Sequence, residues 1–178
     1  MVALRASGLP TRLHAMITAS AAEPEPAPTA TVRRAHRDDL DALVALEQPV
    51  FSSDRLSARQ WRQHIDSASA SVFVATEDSG SVLGAAVVFY RSGAGRARLY
   101  SLSSAPEARG RGVAYRLLRA AEVDAHERGC THMRLEVRRD NEPALRLYAR
   151  SGYAFIGERR TYYEDGADAL CFEKPLAT

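Results

Sequence analysis

With 178 residues, 46% of them hydrophobic and 26% charged, the chain fits one domain with a substantial core and has an ordinary globular composition. A net charge of +2 gives no general attraction to nucleic acid or to a membrane surface, and no apolar run approaches the roughly 18–20 residues of a membrane span. Two cysteines, Cys130 and Cys171, cannot build a disulfide framework, so a reducing, cytoplasmic setting is expected.

The start of the chain reads as an appendage. AAEPEPAPTA (Ala21–Ala30) is rich in Pro, Glu and Ala, lacks periodicity and predicts an extended linker. Ahead of it, VALRASGLPTRLH carries arginines and no acid, as a transit peptide would, but its apolar stretches are too short for a secretory signal. Met16 is an alternative start. The expected organisation is a disordered extension over 1–30 and one domain over 31–178.

VRRAHRDDLDALVALEQ opens with a short strand, Val32–Ala35. A helix follows whose first turn carries Asp38 and Asp39 at the positive end of its dipole. Leu40, Leu43, Val44 and Glu47 share one face, with Leu43 and Val44 inward. Ser57 is placed to cap a second helix, ARQWRQHID. SVFVAT (Ser71–Thr76), a DSG turn and VLGAAVVFY (Val82–Tyr90) predict a β-hairpin, and RARLYSLSS (Arg96–Ser104) adds a third antiparallel strand after RSGAG.

From Gly112 to Arg128 the residues Val113, Leu117, Leu118, Ala121 and Val123 or Ala125 recur at helical spacing, and Gly129 stops the helix. HMRLEV (His132–Val137) alternates as a strand. Asn141 caps EPALRLYARS, with Pro143 early where its missing N–H costs nothing, and Gly152 ends that helix. YAFIGE (Tyr153–Glu158) and ALCFEKPL (Ala169–Leu176) are the last strands. This order predicts an α/β fold: a mixed, mostly antiparallel central sheet flanked by about four helices.

One stretch stands apart. ARGRGVA (Ala108–Ala114) follows a strand and opens a helix, inside a segment where Arg96, Arg98, Arg109, Arg111, Arg116 and Arg119 face a single acid, Glu107. A helix start leaves N–H groups outside the helical ladder and carries about half a positive charge. Glycines at 110 and 112 let a ligand approach the backbone, so a phosphate or pyrophosphate cradle and a plain basic loop both fit. It is no P-loop, because GK[ST] is missing, and Tyr115 stands where a dinucleotide fingerprint needs its third glycine.

Arg109-Gly110-Arg111-Gly112-Val113-Ala114 resembles the R/Q-x-x-G-x-G/A motif of the GNAT acyl-CoA-dependent N-acetyltransferases. The likeness continues through LEVRRDNEPALRLYARSGYAFIG and YYEDGADAL, spanning Leu99 to about Leu176, and is nearest to the ribosomal-protein-alanine (RimI-like) branch. The resemblance implies a GNAT fold in which the strand before the motif splays from its neighbour. The backbone of Leu102, Ser103 and Ser104 would pair with the pantetheine arm of acetyl-CoA, the acyl donor. The N–H groups from Arg109 through Gly110, Arg111, Gly112 and Val113 to Ala114 would hold the pyrophosphate, with Tyr115 closing the turn. Ser104 and Ala105 replace a usual Val-Asp pair, a change that leaves backbone contacts intact and bears on the acceptor side.

By the same resemblance, Glu136 serves as the base that takes a proton from the acceptor amine, and Tyr148 protonates the departing thiolate. An α-amine has a pKa near 8 against about 10.4 for lysine, so a modest base suffices for an N-terminus. An ordinary tyrosine lies near 10 and a thiol near 8.5, so full transfer would be uphill by about 2 kcal/mol. A backbone N–H at Ser103 or Ser104 would stabilise the oxyanion, and Asn141 would touch the cofactor as well as cap its helix. Tyr162, Tyr163, Glu164 and Asp165 follow the family's acceptor-side loop. Read from the residues alone, Glu136 fits a solvated strand position, Tyr148 a core tyrosine and the DG at 165–166 a plain turn.

The expectation is direct acetyl transfer in a ternary complex, from acetyl-CoA to the N-terminal amine of a protein or peptide. A small amine, such as an antibiotic, is the alternative acceptor, and a non-catalytic acyl-CoA sensor is the rival of another class. A nucleic-acid module would need aromatic residues interleaved with the arginines, which are lacking. Cys130 and Cys171 read as buried, the five histidines show no ligand spacing, so no metal is expected. Trp61 and Phe51 fit core or groove, and a monomer and a homodimer both remain open.

Overall fold

The computed structural model describes residues 30–50, 55–91, 93 and 95–176, the side chains of 48–50 aside. The expected extension before Ala30, with Met16, and Phe51 lie outside the described residues. In chain order the elements are β1 (Thr31–Arg34), a 3-10 turn (Arg37–Asp39), α1 (Leu40–Val50), α2 (Ala58–Asp66), β2 (Ala70–Thr76), β3 (Val82–Tyr90) and β4 (Arg96–Ser104). A second 3-10 turn (Pro106–Ala108), α3 (Val113–Glu127), β5 (His132–Arg138), α4 (Glu142–Arg150), β6 (Ala154–Arg159) and β7 (Ala169–Pro175) complete the order.

The strands form one seven-stranded sheet, ordered β1-β2-β3-β4-β5-β7-β6. Among the described strands only β4 and β5 run parallel; every other neighbouring pair is antiparallel. Helices lie on both faces. Tyr90 Oη donates to Asp124 of α3 at 2.5 Å, whereas Phe89, the next residue back, meets His64 of α2 ring to ring at 5.0 Å. Successive strand residues point to opposite faces, so α2 and α3 flank the sheet from either side. β2 is accordingly buried along its whole length, the mark of a strand covered twice. β5 alternates between buried and half-buried positions. Met133, Leu135 and Val137 enter the core, while Arg134, Glu136 and Arg138 occupy a face that α1 and α2 leave uncovered.

Local chemistry explains the boundaries. Ser57 Oγ accepts the Gln60 N–H while the Gln60 side chain accepts the Ser57 N–H, a reciprocal cap that starts α2. Asp39 accepts the His36 N–H at 2.7 Å and takes both ends of the Arg33 guanidinium at 2.8 Å, tying the first turn to β1. Asp124 joins α3 to three strands at once, accepting from Ser71 at 2.7 Å, Tyr90, Arg34 and Arg128. Gly129 and Gly152 stop their helices with left-handed φ of 81° and 85°.

Two expected placements differ. Val44 is only half-buried, and Leu46 and Glu47 take the inward positions with Leu43. Within α3 the inward charged residue is Glu122, held by Lys174 Nζ at 2.9 Å and by Arg119, while Val123 is exposed. Trp61 is fully buried and belongs to the core. No described helix is long and apolar enough to cross a membrane.

Candidate active site

The site begins where two strands part. β4 and β5 pair only from Arg96↔His132 to Leu99↔Leu135, yet β4 runs on to Ser104 and β5 to Arg138. The cause lies in β4: its register with β3 steps from Val88↔Leu99 to Val87↔Ser101, leaving Tyr100 as the extra residue of a bulge. A bulge adds twist and bends its strand, so beyond Leu99 the two strands diverge. Leu102, Ser103 and Ser104 lie on this diverging arm, and the splay exists as expected. Ser103 is buried, and its Oγ has no hydrogen-bond partner among the described residues.

The ARGRGVA segment sits at the head of α3. Gly110 and Gly112 adopt φ of 77° and 71°, and Gly112 is the left-handed residue that opens the helix. The first ladder bond is Arg116 N–H to the Gly112 carbonyl at 3.0 Å, so the N–H groups of Gly112, Val113, Ala114 and Tyr115 stand outside the ladder. Val113 is buried against β3, Arg109 is exposed, and Ala114 and Tyr115 are half-buried. The Arg111 guanidinium is committed to Glu77, at 2.7 Å, and braces the turn between β2 and β3. The Arg111 backbone N–H donates to the Ala108 carbonyl at 3.2 Å, and the Arg109 N–H to the Pro106 carbonyl at 3.2 Å, so the N–H groups that the head of α3 leaves outside this bonding are those from Gly112 onward.

Gly84 brings this helix start close to β4. A Cβ at Gly84 would stand 2.6 Å from the Ser103 carbonyl oxygen and 3.0 Å from Val113 and Leu117 methyls. The head of α3 and the splayed arm of β4 are thus pressed together over a bare backbone. A splayed strand edge beside a helix start suits a ligand with an amide-bearing arm and a diphosphate.

Glu136 lies on the uncovered face of β5, its side chain 12% exposed. It accepts Arg98 Nε at 2.9 Å and faces Arg159 Nη2 at 3.6 Å. Arg98 also donates to Tyr162 Oη at 2.7 Å, which ties the 160–168 loop to the site. That loop is held by its own bonds: Arg138 donates to Asp165 at 2.9 Å, and Asp165 accepts the Ala167 N–H at 3.1 Å. Tyr162 and Tyr163 stack edge to face at 5.2 Å. Glu164 is exposed.

Tyr148 is buried in α4 beside Tyr153, with ring centroids 5.7 Å apart. Burial, with the Tyr163 phenol adding to it, pushes its hydroxyl well above the usual tyrosine range. Full proton transfer from Tyr148 to a thiolate is therefore more uphill than from an ordinary tyrosine. Asn141 caps α4, its Oδ1 accepting the Ala144 N–H at 3.2 Å. Cys130 is buried, as read, but Cys171 is only half-buried and stands opposite Glu136 on the open face, and burial raises both thiols. Among the described residues no three His, Cys, Asp or Glu side chains are grouped to hold a metal.

Reading the sequence missed the arginines around Glu136. Period-two alternation in RARLYSLSS puts Arg96 and Arg98 on one face, but the pairing of β4 with β5 that brings them to Glu136 is not a local signal. The model of the acetyltransferase (GNAT) family matches residues 39–153. Streptothricin acetyltransferase of Streptomyces lavendulae is 35% identical over 130 residues, 71% of this chain and 69% of that protein.

The chain therefore belongs to the GNAT acetyltransferase family and is an enzyme of acetyl transfer. Among solved structures, the ribosomal-protein-S18-alanine N-acetyltransferase of Escherichia coli superposes with a TM-score of 0.74 at 24% identity, over 84% of this chain and 95% of that one. Nourseothricin acetyltransferase superposes with a TM-score of 0.70 at 26% identity, over 84% and 99%. The former likeness is one of fold. GNAT enzymes use acetyl-CoA, and the splayed arm of β4 beside the head of α3 fits that donor.

Proposed function

We propose that residues 31–178 form a catalytic unit that acetylates the N-terminal α-amine of a peptide or protein. The observation that carries this reading is the shape of the acceptor side. Glu136 opens onto an uncovered sheet face bounded by Tyr162, and a groove of about 400 Å³ continues from it along β4 and β5. Small-molecule sites are characteristically concave and bury most of their ligand, whereas an open groove accommodates a chain that enters by its end.

Acetyl-CoA supplies an activated acyl group and a thiolate leaving group. Leu102, Ser103 and Ser104 align the pantetheine arm, and the turn from Arg109 to Ala114, closed by Tyr115, holds the pyrophosphate on the N–H groups that the head of α3 leaves outside its ladder, those of Arg109 and Arg111 being bonded to the Pro106 and Ala108 carbonyls. Asn141, already the cap of α4, touches the same donor. Glu136 receives the amine proton, directly or through one water, while Arg98 and Arg159 hold its carboxylate in place. A Ser103 or Ser104 N–H faces the developing oxyanion. Tyr148 stays protonated because it is buried, the state a donor needs. Its raised pKa makes hydrogen-bond donation its main contribution, with full transfer completed as the thiolate leaves.

A small amine acceptor is the second reading, and the 35% identity to a streptothricin acetyltransferase favours it. Release of free thiol from acetyl-CoA separates the two when run on peptides with free and with blocked N-termini, on lysine peptides and on small amines. Turnover confined to free N-termini is expected. Turnover confined to small amines would overturn the acceptor assignment and leave the donor site standing.

A further inference from the structure

The groove beside Glu136 is unusual in charge. Arg91, Arg96, Arg98, Arg134 and Arg159 line it, and Glu136 is its lining carboxylate. Two carboxylates serve four of these cations: Glu136 lies between Arg98 and Arg159, and Glu173 between Arg134 and Arg96. Each carboxylate is thus shared by two guanidinium groups, and Arg91 adds a fifth charge, so the groove carries a net charge of +3 against +2 for the whole chain. The sharing is uneven. Arg98 and Arg134 make hydrogen bonds, whereas Arg96 and Arg159 each stand 3.6 Å from their carboxylate, too far for one. These two side chains are 54% and 57% exposed. Each brings a planar fork of five N–H donors, the geometry that grips a carboxylate with two parallel bonds.

Resting on the peptide-amine reading, we propose that this groove binds an acidic N-terminal segment, so the acceptor class is a peptide or protein with Asp or Glu in its first few residues. The register sets the spacing. Arg98 pairs across to Arg134, two residues back from Glu136 on β5, and Arg96 pairs to His132, four residues back. At about 3.3 Å per extended residue the arginines reach about 13 Å from the carboxylate at the reacting end. An extended acceptor with its amine at Glu136 meets Arg159 at its reacting end, since Arg159 stands level with Arg138 across β7, and brings its following side chains over Arg134 and Arg96. Acidic residues there gain guanidinium partners, while lysines meet like charge and are rejected. The same field repels a polycationic amine, so the inference separates the peptide acceptor from a multiply charged basic one.

The test compares three seven-residue peptides that share a first residue and carry two acids, two serines or two lysines among positions two to five. kcat/KM is measured by thiol release at low and at high salt on the full chain. The expected order is acidic above neutral above basic, with about a tenfold step from acidic to neutral, equivalent to about 1.4 kcal/mol. Half-molar salt should collapse the step, because exposed charges are screened. Arg96→Glu should shrink or invert the acidic preference, with its melting temperature measured alongside. If that variant does not fold, the peptide-charge and salt series on the native enzyme still decide. Equal turnover of the three peptides, or a preference for lysine, overturns the groove assignment and leaves N-terminal acetylation intact. Turnover of small amines with all three peptides silent overturns the acceptor reading itself, and the groove assignment with it.

Discussion

Substituting alanine at Gly84 tests the idea that the donor site depends on α3 being pressed against β3 and β4. The new Cβ would stand 2.6 Å from the Ser103 carbonyl oxygen and 3.0 Å from Val113 Cγ1 and Leu117 Cδ1. Comfortable carbon contacts are about 3.5–4.0 Å, so each of these is short by about half an ångström or more. No side-chain rotation relieves the first clash, because the oxygen belongs to the backbone of a paired strand. Val113 and Leu117 are fully buried and have no room to yield. Overpacking a core costs about 1–3 kcal/mol, and the backbone clash puts this case at the upper end. For a domain of this size, about 3 kcal/mol lowers Tm by about 6–12 °C. The head of α3 must also lift away from Leu102–Ser104, so KM for acetyl-CoA should rise by about tenfold, equivalent to about 1.4 kcal/mol of lost binding. A thermal melt followed by circular dichroism and a thiol-release titration read both effects. Gly110→Ala is the control: its Cβ meets nothing within 4 Å, and only the left-handed φ of 77° opposes it, a cost of about 1–2 kcal/mol. A Gly84→Ala enzyme with native Tm and native KM would refute the argument.

Tyr148→Phe and Glu136→Gln should each lower kcat by about 10²–10⁴-fold while leaving acetyl-CoA binding by calorimetry within a few-fold of native. Loss of acetyl-CoA binding instead would assign them to the donor site. Glu47 is buried, with one hydrogen bond to the Leu56 N–H at 3.1 Å and a second oxygen without a partner among the described residues. Burial raises its pKa. A raised carboxyl pKa means stability is fully present below the unfolded value of about 4.3 and is lost as pH rises through the folded value. Glu47→Gln should therefore raise Tm at pH 7–8 by about 2–4 °C, equivalent to about 1 kcal/mol, and have little effect near pH 4. Asp124 behaves in the opposite sense: burial raises its pKa, but hydrogen bonds from Tyr90 and Ser71 and the charges of Arg34 and Arg128 hold it below the usual range. Its contribution is present above about pH 3.9 and lost as pH falls through the lower folded value. Asp124→Ala should cost about 1–3 kcal/mol at pH 7, because it leaves the buried Ser71 hydroxyl and the half-buried Tyr90 hydroxyl without their acceptor, and urea titration of the purified variant checks this.

The helix start proposed as the donor half of the site is legible in the sequence, whereas the cluster proposed as its acceptor half is largely dark, for a physical reason. ARGRGVA announces a helix start through residues next to one another: two glycines that adopt left-handed φ, then the periodic apolar run of α3. Strand positions 82–90 and 96–104 could be read for the same reason, since alternation and turn residues are local signals. The cluster around Glu136 has no such signature. It joins Arg98 of β4, Glu136 of β5, Arg159 of β6 and Tyr162 of the following loop, residues up to 64 positions apart, and only the parallel pairing of β4 with β5 brings the first two together. That pairing also ends early because of one extra residue, Tyr100, which looks in the sequence like any other member of an alternating strand. The buried acids show the same limit from another side. Glu47 and Glu122 occupy inward helical positions that a polarity rule assigns to solvent. Glu122 is admitted by Lys174, 52 residues away on β7, whereas Glu47 is held by the Leu56 N–H just beyond its own helix. A charge can enter a core only where a partner waits for it, and that partner is a property of the assembled sheet and its helices. The groove beside Glu136 is written in the same non-local way, in guanidinium groups that come together only once four strands have closed beside one another.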